Sequence, residues 1–159
     1  MRQRNRITTC TYRMTKIINA PLRFVFGWCT DYREDDNKLT GSKTKRTILE
    51  KTKRRAVYVI EYPDEKQIKI GFNLVTMSAP SSWHLDYFGQ DDDEIAEYAL
   101  VRLGPRKTRL DMVFTEKWKI RKVPERAIFT KHISEIWDKY VAALERDYAK
   151  TTNPKWGLS

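Results

Sequence analysis

The order of apolar and polar positions predicts one strand followed by two short helical pieces. Residues Thr8–Ile18 are rich in threonine, tyrosine and isoleucine, which is typical of a β-strand. An Asn-Ala-Pro step follows, and Pro21 suits the first turn of a helix over residues 21–29. Thr30 and Asp31 can cap a second short turn before a loop over residues 37–42. Apolar residues recur at helical spacing within the first helix, at Leu22, Val25, Phe26 and Cys29.

From residue 43 the apolar period changes to two. Six strand-like runs are separated by short breaks rich in turn-forming residues, which predicts an antiparallel meander. The last run alternates most cleanly, with Leu110, Met112, Phe114, Trp118 and Ile120 on one face, and the third run repeats this pattern with Ile68, Ile70, Phe72 and Leu74. The runs cover residues 43–52, 54–62, 66–77, 81–88, 93–103 and 108–120.

A long helix over residues 124–150 is predicted to end the domain. It begins at Pro124, and the Asn153-Pro154 step stops it. Its apolar residues form one wide stripe, made of Phe129, Ile133, Trp137, Tyr140, Leu144 and Tyr148.

This order of elements predicts a single α+β domain over residues 1–159, with flexible tails at residues 1–7 and 152–159. A curved, seven-stranded antiparallel sheet can wrap around the long helix and bury its apolar stripe. The aromatic segment FVFGWC, residues 24–29, then closes one end of this half-barrel.

The order of elements resembles that of the START-like superfamily, also called SRPBCC. The pattern Ile18, Ala20, Pro21, Val25 and Phe26 after the first strand, followed by Asp31, belongs to the same resemblance. It covers nearly the whole chain and implies a helix-grip fold with a deep cavity between the sheet and the C-terminal helix. The superfamily includes plant pathogenesis-related allergens, lipid-transfer START domains, polyketide cyclase/dehydrase-like proteins and Hsp90-activating homologues. Its members typically hold lipids, sterols, polyketides or other apolar molecules.

The formal net charge of +10 is unevenly distributed. The excess lies in residues 1–60, in the runs RQRNR, KTKR and KTKRR, because acidic and basic residues balance in the rest of the chain. Such a region could contact nucleic acid or an anionic membrane surface. It equally suits a solvated face, which we favour because no recognised nucleic-acid motif accompanies it.

The sequence carries little sign of other chemistry. Cys10 and Cys29 form no CxxC motif, which argues against a disulfide framework and a structural zinc site. No apolar run is long enough to span a bilayer and no secretory signal begins the chain, so we expect a cytoplasmic protein without metal or cofactor. His84 and Asp86 share one strand face that we expect to meet solvent, and His132 lies on the flank of the helix stripe.

Glu116 is the one candidate catalytic residue. It interrupts the inward face of the last strand, where an unpaired carboxylate would be costly and its pKa would rise. It could orient a ligand hydroxyl or act as a general acid or base. Alternatively, it forms a salt bridge or reaches water near a cavity mouth.

The resemblance and the strand alternation together predict which side chains line the cavity. Tyrosine and tryptophan join an apolar body to a polar tip, which suits a pocket for an amphipathic ligand but equally suits an aromatic core. The predicted lining residues are Phe72, Leu74, Trp83, Leu85, Tyr87, Met112, Phe114, Glu116, Trp118, Ile133, Trp137 and Tyr140.

Three functions are compatible with these observations. The first is binding or transport of an apolar or amphipathic small molecule, such as a lipid, isoprenoid or polyketide. The second is a polyketide cyclase/aromatase-type enzyme in which Glu116 and a cavity tyrosine move a proton. The third is an interaction module that uses the basic N-terminal third to contact a protein, RNA or a membrane surface.

Overall fold

The computed structural model describes residues 7–63, 66–120 and 123–152. Seven strands form one antiparallel sheet in the order β1-β7-β6-β5-β4-β3-β2, so both edge strands come from the first third of the chain. The elements are β1 (Thr8–Ile18), α1 (Leu22–Thr30), α2 (Asn37–Thr40), β2 (Lys45–Lys51), β3 (Arg55–Pro63), β4 (Ile68–Ser78), β5 (Ser82–Phe88), β6 (Asp92–Gly104), β7 (Lys107–Trp118) and α3 (Arg126–Thr152).

The α+β helix-grip architecture predicted from the sequence is confirmed. The seven-stranded antiparallel sheet, the two short helices after β1 and the long C-terminal helix are all present. The second short helix, however, spans Asn37–Thr40, inside the segment expected to be a loop. Its end is set by Gly41, whose left-handed φ of 71° favours glycine and stops the helix. The predicted tails at residues 1–7 and 152–159 lie outside the described residues except for Ile7 and Thr152.

Buried aromatic and aliphatic side chains fill the space between the concave face of the sheet and α3. The inward face of β7 alternates as predicted, with Leu110, Met112, Phe114 and Trp118 all buried. On α3 the stripe faces this layer, and Leu144 is its most deeply buried member. Each large apolar side chain removed from water in this way contributes about 1.5–3 kcal/mol.

Polar contacts fix α3 against the start of the chain. The Lys16 ammonium donates to Asp138 Oδ1 at 2.6 Å, and the backbone N–H of Asn19 donates to Glu145 Oε1 at 2.9 Å. The Trp28 indole N–H donates to Asp147 Oδ2 at 2.8 Å, which attaches α1 to the same helix. These contacts link α3 to a segment more than a hundred residues earlier in the chain, so they fix the position of α3 over the sheet.

The prediction that β4 turns Phe72 and Leu74 into the cavity is wrong. Phe72 is 39% exposed and lies with Leu74 on the outer face of the sheet, whereas Asn73 and Val75 point inward. The physical reason lies at Gly71, where an added Cβ would approach Tyr87 Cε2 to 2.2 Å. The Tyr87 ring occupies the inward space over Gly71, so the smaller side chains of β4 face the interior.

Candidate ligand cavity

Two adjoining chambers lie between the concave face of the sheet and the helices. The inner chamber has a volume of about 320 Å³ and is bounded by α1, α2, α3 and the central strands. The outer chamber has a volume of about 610 Å³, is wider open to solvent, and lies toward the start of α3. Five residues border both chambers, which makes them one continuous groove: Tyr62, Leu85, Glu94, Ile133 and Ile136.

Aromatic rings form most of the inner chamber wall. Trp83 stacks on Tyr98 with ring centroids 4.7 Å apart, and Phe26 meets Trp83 edge-on at 6.0 Å. From α3, Trp137 lies 5.7 Å from Tyr98 and 5.3 Å from Tyr140. Contacts of this kind add about 0.5–1.5 kcal/mol each to the burial of the rings. The chamber is therefore a stiff, flat-walled space suited to a planar or ring-containing molecule.

An ion pair lies at the α2 end of the inner chamber. Arg46 pairs with Asp36, and both side chains are largely shielded from water. The guanidinium lies 4.5 Å from the centroid of the Tyr58 ring and 5.6 Å from that of Tyr32. Arg46 ends the run KTKR, which the sequence predicts to belong to a basic solvated face. That assignment is wrong for Arg46, since strand alternation in β2 turns it inward while Lys45 remains exposed.

Several carboxyl groups lie along one wall of the outer chamber. Glu94 of β6 and Glu116 of β7 are direct cross-strand partners, and Asp92 precedes Glu94 by two residues on the same face. Glu116 is only 2% exposed although it borders the outer chamber, and it forms no salt bridge within the described part of the chain. The salt-bridge alternative therefore finds no support among these residues, and the alternative that Glu116 reaches water near a cavity mouth stays a prediction.

The crowding of these carboxyl groups changes their protonation. Burial, followed by the neighbouring Glu94 carboxyl, raises the pKa of Glu116 to about 11, so it holds its proton at neutral pH. Burial also raises the pKa of Glu94 and of Asp92, and the hydrogen bond from Glu116 lowers each in part. Protonated Glu116 can donate one hydrogen bond to either neighbouring carboxyl, so the cluster carries less negative charge than three carboxylates would.

Two polar atoms that border the outer chamber are buried without a hydrogen-bond partner among the described residues. They are Glu116 Oε2 and Asn73 Nδ2, an acceptor and a donor respectively. An unpaired buried polar atom costs roughly 1–3 kcal/mol. A ligand polar group, or water, in the outer chamber would remove this cost.

The structure brings together most, but not all, of the residues predicted to line the cavity. Met112 and Trp118 are buried on the expected face, but neither residue borders the inner or the outer chamber. They pack into the core instead, where the Trp118 ring contacts the ring of Phe129. The predicted residues that do border a chamber are Trp83, Leu85, Tyr87, Phe114, Glu116, Ile133, Trp137 and Tyr140.

Neither histidine forms part of a catalytic constellation. His84 Nε2 lies 3.1 Å from Asp86 Oδ1 on the outer face of β5, as expected from the strand alternation. His132 is exposed and lies at the edge of the outer chamber. Within residues 7–63, 66–120 and 123–152, no group of three histidine, cysteine or acidic side chains is arranged to hold a metal ion. No described helix is long and apolar enough to cross a membrane.

Comparison with known proteins identifies the fold. No protein-family model matches the chain, and no curated protein matches its sequence. Among solved structures, the Zhui aromatase/cyclase from a Streptomyces species is 12% identical, with a TM-score of 0.68 over 93% of this chain and 98% of the other. A START superfamily protein from Mycobacterium smegmatis is 17% identical, with a TM-score of 0.67 over 89% and 99%.

A third similar structure is a two-domain protein. The di-domain ARO/CYC StfQ from the steffimycin biosynthetic pathway is 15% identical, with a TM-score of 0.68 over 88% of this chain and 47% of its own. These similarities show that the chain has the START-like helix-grip fold. At such low identities they show the fold alone.

Proposed function

We propose that this protein binds an amphipathic small molecule, with the apolar body of the ligand in the inner chamber and its polar group in the outer chamber. The observation that carries the proposal is the inner chamber of about 320 Å³, walled by Trp83, Tyr98, Trp137 and Tyr140. Cavities that hold small ligands span about 300–1,000 Å³ and combine apolar walls with a few polar groups. The groove has this composition along its whole length.

The size and shape of the inner chamber favour a compact, ring-containing body. A volume near the lower end of the usual range excludes a long acyl chain from the inner chamber alone. Flat aromatic walls contact flat ligands over a large area, which increases the apolar surface removed from water. The wider outer chamber accommodates the remainder of the ligand and its polar group.

Native mass spectrometry of the protein purified without denaturation tests this proposal. A co-purified small molecule, released on unfolding, is the expected result. The purified protein is then titrated with ethylnaphthalene while its tryptophan fluorescence is followed, since Trp83 and Trp137 line the inner chamber. We expect saturable binding at micromolar concentration. An empty protein that also fails to bind the hydrocarbon would contradict the proposal.

An enzyme of the polyketide cyclase/aromatase type is the second candidate. Glu116 and Glu94 are direct cross-strand partners, and the raised pKa of Glu116 leaves one carboxyl protonated beside one carboxylate. Such a pair could donate a proton to a ligand carbonyl and accept one from the adjacent carbon, as in general acid–base catalysis. Two of the similar structures are described as aromatase/cyclases.

Product analysis separates the two candidates. A poly-β-ketoacyl thioester mimic is incubated with the protein, and cyclised products are measured by mass spectrometry against the uncatalysed reaction. For an enzyme, Glu94→Gln would retain binding of the mimic and lose cyclisation by at least about a hundredfold. If the protein binds the mimic but does not accelerate its cyclisation, the ligand-binding function is favoured over the enzyme.

A further inference from the structure

The outer chamber concentrates negative charge in a protein whose net charge is +10. Asp91 is paired with Lys69 at 2.7 Å and Asp93 with Lys119 at 2.7 Å, so two carboxylates of the β5–β6 turn region have counter-charges. Asp92, Glu94 and Glu116 form no ion pair with a lysine, arginine or histidine of the described residues. These three carboxyl groups share one face of the sheet and border the same chamber.

A second observation points to a ligand at this cluster. Glu116 is 98% shielded from solvent, borders the outer chamber, and its Oε2 atom has no described hydrogen-bond partner. The unpaired atom is a hydrogen-bond acceptor, so the missing partner must be a donor. Like charges held close together destabilise one another, and a cation placed among them would relieve the repulsion.

The position of Glu94 connects this cluster to the inner chamber. Glu94 borders both chambers, as do Tyr62 and Ile133. A group bound to Glu94 therefore lies at the junction, next to the apolar space. The Tyr62 and Tyr87 rings lie beside it, edge to face with centroids 6.4 Å apart, and aromatic faces attract cations.

We propose that the ligand carries a positively charged amine, which lies among Asp92, Glu94 and Glu116 while the apolar body extends into the inner chamber. This rests on the proposed ligand-binding function and names its ligand class. An ammonium group has three hydrogen-bond donors and no acceptor, so it suits an acidic cluster without needing a closed set of three ligands. Hydrogen bonds between charged partners are about twice as strong as those between neutral groups.

Other cations and donors fit this cluster less well. A divalent metal would require a closed set of oxygen ligands, and the described residues offer no group of three suitably arranged side chains. A hydroxyl group has a single donor and no charge, so it satisfies Glu116 Oε2 but leaves the charge of Glu94 and Asp92 uncompensated.

The test uses three probes that share one apolar body: naphthylethylamine, naphthylethanol and ethylnaphthalene. Each is titrated into the wild-type protein by isothermal titration calorimetry at neutral pH. We expect the amine to bind at least about tenfold more tightly than the alcohol, because a charge-assisted hydrogen bond replaces a neutral one. The hydrocarbon, which lacks a polar group, is expected to bind most weakly.

Glu94→Gln is the informative variant, and Glu97→Gln is its matched control. Both residues lie on β6, but Glu97 faces outward and its side chain is 64% exposed. Glu94→Gln removes a repulsive charge without changing the side-chain shape, so the variant is expected to fold. The amine-over-alcohol preference should fall about tenfold in Glu94→Gln and remain unchanged in Glu97→Gln.

The outcomes separate this proposal from the proposed function. If all three probes bind the wild type equally, the protein binds apolar molecules but the amine proposal is overturned. If the preference for the amine persists in Glu94→Gln, the carboxyl cluster is not its cause and the proposal also fails. If none of the probes binds, both the amine proposal and the ligand-binding function are rejected.

Discussion

The two chambers of the groove differ in whether their charged side chains have partners of opposite charge. In the inner chamber, Arg46 is paired with Asp36 and covered by the rings of Tyr58 and Tyr32, so its charge is compensated inside the protein. In the outer chamber, Glu94 of β6 and Glu116 of β7 are direct partners on adjacent strands, and neither has a basic partner among the described residues. The charge of Arg46 in the inner chamber is therefore balanced within the protein. In the outer chamber, repulsion between the carboxyl groups is reduced because Glu116 is protonated.

This difference indicates where binding and where stability reside. A compensated ion pair among stacked rings belongs to the folded core, because removing either partner leaves a buried charge. A cluster of like charges lowers stability, and its retention in a cavity is typical of functional sites. Truncating the packed walls of the inner chamber should therefore mainly lower the stability of the protein, while substitutions of the outer-chamber carboxyl groups should mainly alter pH dependence and recognition of the ligand's polar group.

The largest effect is expected for Trp83→Ala in the inner chamber. Trp83 is 3% exposed and contacts the rings of Tyr98 and Phe26. Loss of this buried aromatic should lower the free energy of unfolding by about 3–5 kcal/mol. Chemical denaturation measures it. A decrease in the free energy of unfolding of less than about 1 kcal/mol would mean that Trp83 contributes little to core packing.

Arg46→Met should cost less, about 1–3 kcal/mol, because Asp36 then loses its main partner in a site only partly shielded from water. The exposed Arg54 provides the control, and Arg54→Met should change the free energy of unfolding by less than about 0.5 kcal/mol. Equal effects of the two substitutions in urea denaturation would show that Arg46 lies on a solvated face after all.

Glu116→Gln in the outer chamber should stabilise the protein, and the size of this stabilisation should depend on pH. Near pH 4 and below, the Glu116 carboxyl is protonated in both folded and unfolded states, so the substitution has little effect. Between its ordinary pKa of 4.5 and its folded pKa of about 11, only the unfolded state releases the proton, and stability is lost as the pH rises. Glutamine cannot ionise, so the variant should gain about 1–2 kcal/mol at neutral pH.

Thermal unfolding of wild type and Glu116→Gln across this pH range measures the difference between them. The two curves should converge near pH 4 and separate as the pH rises. A variant less stable than the wild type at neutral pH would show that Glu116 is an ionised, stabilising carboxylate.

The basic turn between β2 and β3 lies outside both chambers and should have the smallest effect. Lys53, Arg54 and Arg55 are exposed, and among residues 7–63, 66–120 and 123–152 an ion pair is seen for Arg55 alone, with Glu50 at 2.7 Å. Exposed pairs contribute about 0–1 kcal/mol, so neutralising all three residues should leave the fold and ethylnaphthalene binding intact. Loss of ligand binding in the triple variant, or tight RNA binding by the wild type at physiological salt, would give this region a functional role.

The sequence predicted the fold better than the cavity, for physical reasons that particular residues illustrate. The strand alternation in β7 is visible because every inward position from Leu110 to Trp118 except Glu116 is apolar, and the sequence identifies Glu116 as the exception. In β4 the apolar residues from Ile68 to Leu74 lie on the outer face, so alternation alone selected Phe72 and Leu74, whereas Val75 and Met77 lie on the inner face. The close approach of Tyr87 to Gly71, which decides the face, depends on tertiary packing.

Charged residues were the least predictable part of the site. Arg46 is one of many basic residues in the first third of the chain, and nothing in the run KTKR distinguishes it from its exposed neighbours. Glu94 was missed because the face of β6 is ambiguous from sequence, with acidic residues on both faces. Its importance arises from pairing with Glu116 across the sheet, a register that only the fold establishes.

The central claim, that a small molecule occupies the inner chamber, is tested most directly by filling that chamber. Ile136 of α3 borders both chambers, whereas Ala142 of the same helix is exposed. Ethylnaphthalene is titrated into the wild type, Ile136→Trp and Ala142→Trp, with circular dichroism confirming that each is folded. We predict that wild type and Ala142→Trp bind equally and that Ile136→Trp loses at least about tenfold in affinity, since the indole occupies the ligand's volume. Unchanged affinity in Ile136→Trp would contradict the account.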